Sequence, residues 1–85
     1  MKMLKIGNKD YELLISEDIN LKEENLTAEM VEKAIQVSES MISEVKVGED
    51  FMIINEDIEK TIICKKMNRV IVVSSILPTD NTFII

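Results

Sequence analysis

The sequence predicts an α+β domain: an N-terminal β-hairpin, one short and one long helix, then a four-strand antiparallel meander. Three observations point there. Residues 1–6 and 10–15 mix apolar with polar residues on either side of Gly7-Asn8-Lys9. Residues 27–46 carry one apolar stripe at helical spacing, and residues 51–85 are short apolar runs separated by turn residues.

In the hairpin, Gly7-Asn8 is a turn signal, and alternation puts Tyr11, Leu13 and Ile15 on one face with Glu12 and Leu14 on the other. Residues 16–26 are polar. Ser16 is placed to cap a short helix with Glu17 and Asp18 in its first turn, where the helix dipole favours acids, while Ile19 and Leu26 reach the core. Thr27 then caps a long helix over residues 27–46. Its stripe is Val31, Ala34, Ile35, Ser38, Met41, Ile42 and Val45, and its opposite side is polar. Gly48 lies where that helix or its loop ends.

Strands are expected at Phe51–Ile54, Ile58–Lys65, Arg69–Leu77 and Thr82–Ile85, with turns at Asn55-Glu56-Asp57, Lys66-Met67-Asn68 and Pro78–Asn81. Short turns between neighbours imply antiparallel pairing. The Arg69–Leu77 strand is apolar on both faces, with Val70, Val72 and Ile76 alternating with Ile71, Val73 and Leu77. A single long helix covers only one face of a sheet. Either the hairpin and short helix wrap the second face, or another subunit does.

At 85 residues the chain is sized for one domain, residues 1–85. Forty-six per cent is hydrophobic, which favours a folded core over disorder. With no histidine, His-based acid–base catalysis, Ser-His-Asp triads and His metal sites are excluded, and no metal or cofactor is expected. The lone cysteine, Cys64, cannot close an intramolecular disulfide, and its apolar surroundings suit a small buried hydrophobe in a reducing cytoplasm. No run approaches the length of a membrane span, and Met1–Ile6 has a basic start without the apolar stretch of a secretion signal.

The net charge of -6 is local. Residues 17–50 hold ten acids against three lysines, whereas residues 51–85 hold four of each sign. Glu17, Asp18, Glu23, Glu24, Glu29 and Glu32 therefore form a candidate acidic surface, suited to a basic protein partner such as one that binds nucleic acid and whose substrate the surface imitates. An acidic chain is itself a poor binder of phosphate backbones. Lys65, Lys66 and Arg69 gather near one turn. As a catalytic set they could stabilise charge on a phosphate; as ordinary surface residues they would deter edge pairing.

The segments Leu14-Ile15-Ser16-Glu17, Asn25 to Ile35 and Arg69-Val70-Ile71-Val72-Val73-Ser74 together resemble the BrnT-like small domains of the RelE toxin superfamily, which includes bacterial and phage relatives. That family places a histidine just after the first serine and basic residues along the short helix. Here those places read Asp18 and Ile19 to Asn25. The resemblance implies the fold of a small RNA-cleaving toxin without its chemistry, and no catalytic residue carries over.

The expected function is thus a non-enzymatic acidic interaction domain, phage or mobile-element encoded, that binds and modulates a host protein and possesses an apolar sheet face through which it can form a homodimer. The alternatives are a toxin-type ribonuclease using Lys65, Lys66 and Arg69, and a binder of a small ligand such as a nucleotide between helix and sheet.

Overall fold

The computed structural model describes residues 2–79. Its elements, in chain order, are β1 (Met3–Ile6), β2 (Lys9–Ile15), α1 (Ala28–Gln36), α2 (Glu39–Glu44), β3 (Asp50–Asn55), β4 (Lys60–Met67) and β5 (Val70–Pro78). They make an α+β fold in which one five-stranded sheet has the order β1-β2-β5-β4-β3.

The expected N-terminal hairpin forms: β1 and β2 pair antiparallel, with Leu4 opposite Tyr11. Among the described residues the meander comprises three strands, β3-β4-β5, with Phe51 opposite Cys64 and Ile62 opposite Ile76. The anticipated strand Thr82–Ile85 lies outside the described residues. The larger correction concerns β2, which pairs parallel with β5 from Glu12↔Val70 to Ile15↔Val73, so the sheet is mixed. The strand that is apolar on both faces takes the centre of the sheet, where neighbours on both sides satisfy its backbone. The hairpin extends the sheet sideways and does not wrap its second face.

The short helix expected over residues 16–26 is replaced by turns. Ser16 Oγ accepts from the Asp18 N–H at 3.3 Å, and Asn20 Oδ1 accepts from the Glu23 N–H at 3.3 Å. These local bonds compete with the helical ladder. The segment still anchors itself by burying Leu26 and packing Ile19 and Leu21 against the core.

The single long helix is two. Thr27 caps α1 by accepting from the Met30 N–H, as its type and position suggest. The break falls at Val37–Ser38, where the Ser38 hydroxyl bonds back to the Ala34 carbonyl at 3.3 Å. Val31, Ala34 and Ile35 from α1 and Ile42 from α2 bury fully against one side of the sheet, but Met41, on the expected stripe, is exposed. From the sheet, Leu4, Ile6, Tyr11, Leu13, Phe51, Ile53, Ile62, Cys64, Ile71, Val73 and Ile76 complete this core. The shortest dimension, 20 Å, holds one helical layer on one sheet.

Candidate functional site

Of the three basic residues near the β4–β5 turn, Lys65 and Lys66 are neighbours in a strand and so point to opposite faces. Lys66 follows Ile62 and Cys64 into the core and is 5% exposed. Its Nζ donates to the carbonyls of Ile42 at 2.8 Å and Val45 at 2.7 Å, with Ser43 at 3.4 Å, and lies 5.8 Å from the Tyr11 ring centroid. α2 has no basic residue in its own last turn, and Lys66 supplies that charge from the sheet, where the helix dipole is negative. Lys65 lies exposed on the other face. Arg69 occupies the turn itself at φ 67° and lines a groove of about 600 Å³ with Met3, Lys9, Asp10, Glu12 and Asn68. Lys66 thus points away from Lys65 into the core, while Lys65 and Arg69 stay at the surface.

The acidic residues divide into tied and free groups. Glu24 binds Lys60 Nζ at 3.0 Å, fastening the 16–26 segment to the start of β4. Glu32 lies 3.5 Å from Lys2 Nζ, an ion pair without hydrogen-bond geometry. Glu17, Asp18, Glu23 and Glu29 are exposed. Asp18, Glu23 and Glu24 border a hollow of about 260 Å³ beside Ser74, Ser75 and Leu77, while Glu29 and Glu32 belong to α1. Among the described residues no group of three or more His, Cys, Asp or Glu side chains is arranged to hold a metal ion.

The helix-free face of the sheet is apolar. Met3, Leu14, Met52, Ile54, Met67 and Leu77 are 39–60% exposed there, and Ile63, Val70 and Val72 lie half-buried among them. Alternation also places Lys5, Asp10, Glu12, Asp50 and Lys65 on this face. The sequence signalled such a face through the two-sided apolar pattern of β5, but not its extent, because the exposed residues of β1, β2 and β3 join it only through non-local pairing.

The hollow bordered by Met30, Lys33, Ala34, Val37, Asn55, Asp57 and Ile58 is about 240 Å³, below the roughly 300–1,000 Å³ of ordinary small-molecule sites. Cys64 is wholly buried, and burial pushes its thiol from 9.0 up to about 12. It is thus held as an unreactive thiol.

These features define a two-layer α+β domain with a mixed sheet, exposed acids on the 16–26 segment and α1, and an apolar sheet face that no described helix covers. No family model, curated protein or solved structure matches the chain. Among the described residues, no helix is long and apolar enough to cross a membrane.

Proposed function

We propose that this protein acts by binding, and that its acidic side docks onto the basic surface of another protein, of the kind that otherwise holds nucleic acid. The observation that carries this reading is a set of exposed acids that, among the described residues, lie outside any ion pair. Glu17, Asp18, Glu23 and Glu29 are exposed and make none of the ion pairs that hold Glu24 and Glu32. They belong to the segment of ten acids and three lysines, whereas residues 51–85 are balanced. A concentrated field of one sign steers a basic partner and repels nucleic acid. In the toxin-like resemblance, Asp18 stands where the family has a histidine, which fits a scaffold used for docking.

The test is capture of host proteins on the immobilised chain and on a variant with Glu17→Gln, Asp18→Asn, Glu23→Gln and Glu29→Gln. All four sites are exposed, so the variant keeps its fold, checked by circular dichroism. The expected result is a basic protein retained by the native chain at low salt and lost with the variant. Equal capture by both, or no specific capture, contradicts the proposal.

A further inference from the structure

We infer that the bare sheet face is closed by a second copy of this chain, packed face to face about a two-fold axis running along β5. The charge pattern of the face selects this occupant. β2 and β4 are the two neighbours of β5. On the open face β2 carries Glu12, beside Val70, and β4 carries Lys65, beside Val72 and opposite Asp50 of β3. A two-fold along β5 lays β2 of one copy over β4 of the other. It brings each Glu12 to within one alternation step of the opposing Lys65, about 7 Å along the strand and about 10 Å across between the sheets, a separation the two side chains reach across together. Both pairs form at once, because an isologous interface repeats every contact. An unrelated partner would have to present a base and an acid in that same arrangement; a second copy supplies both.

The apolar surface is arranged to match. Val70 and Val72 lie on the axis, Leu14 on β2 and Met67 on β4 flank them, and Met52 extends the surface on β3. Glu29 and Glu32 belong to α1 on the far side of the sheet, and the five charged strand side chains of the open face, Lys5, Asp10, Glu12, Asp50 and Lys65, nearly balance. Five strands about 4.8 Å apart and some seven residues long give a face of roughly 550 Å². Two such faces bury on the order of 1,100 Å², which clears the roughly 1,000 Å² expected of a specific interface and sits at its weak end.

Sedimentation equilibrium from micromolar to millimolar concentration tests this. The expected result is a reversible monomer–dimer equilibrium. Leu14→Glu and, separately, Leu77→Glu abolish the dimer; both positions are about half exposed in the monomer, so dilute samples keep the native circular dichroism spectrum. Glu12→Lys and Lys65→Glu each set like charges diagonally across the interface and weaken the dimer about tenfold or more, while the double exchange Glu12→Lys with Lys65→Glu restores it to within a few-fold. A monomer at millimolar concentration overturns the inference, as does a dimer indifferent to Leu14→Glu. A double exchange no better than the weaker single variant overturns the proposed two-fold arrangement.

Discussion

Lys66 shows how much one side chain decides here. A lysine at the third inward position of β4, after Ile62 and Cys64, places its ammonium beneath the end of α2, where the Ile42, Ser43 and Val45 carbonyls face it. Charged hydrogen bonds contribute more than neutral ones, and deleting the donor leaves buried acceptors unmet. Lys66→Met, which keeps the aliphatic stem, should cost about 2–3 kcal/mol, read as a lower denaturant midpoint at unchanged slope. A cost below about 0.5 kcal/mol would mean that water replaces the ammonium. Cys64 gives a second residue-scale prediction. Its folded thiol lies at about 12 against 9.0 for the ordinary group, so both states are protonated below pH 9 and this stabilising preference is fully present there. As pH rises from 9 toward 12 the unfolded chain ionises first, and stability falls by up to about 1.4 kcal/mol per pH unit. Alkylation near pH 8 should accordingly proceed only through opened molecules, far more slowly than in the unfolded chain; prompt modification of the native protein would contradict this burial.

Among the elements, what is legible in sequence follows local chemistry. The Gly7-Asn8 hairpin, the Thr27 cap and the three strands after residue 50 were readable because turn residues, caps and alternation act over a few positions. The helix over residues 16–26 was not, because Ser16 and Asn20 spend their side chains on local backbone bonds. Nor was the split at Val37–Ser38, where a stripe running through both helices hides a hydroxyl that bonds back into the preceding turn. The β4–β5 turn carries a non-glycine residue in the left-handed region, Arg69 at φ 67°. Arg69→Gly should relieve that conformation and leave stability unchanged or raised by about 0.5–1 kcal/mol, measured by thermal unfolding. A clear loss would show that the Arg69 side chain itself holds the turn, which its exposure does not suggest.

At the scale of the whole molecule, the feature least legible in sequence is the parallel pairing of β2 with β5, which joins segments more than fifty residues apart. That one pairing turns a hairpin and a meander into a single sheet. It leaves the open sides of β1 and β2 continuous with those of β5, β4 and β3, and so makes scattered exposed Met, Leu and Ile residues into one surface. Lys65 and Lys66 part for the complementary reason: adjacency in sequence within a strand means separation across the sheet. The acidic residues, by contrast, stayed at the surface because nothing in a small core can neutralise ten carboxylates. The central claim is that this acidic side occupies a surface meant for nucleic acid. It is tested most directly by competition. The captured partner, held on the native chain, is challenged with increasing amounts of random-sequence duplex DNA at fixed low salt. Release in proportion to the DNA added, with chain and DNA never bound to the partner together, is the predicted result. A partner that holds both at once, without mutual weakening, would contradict it.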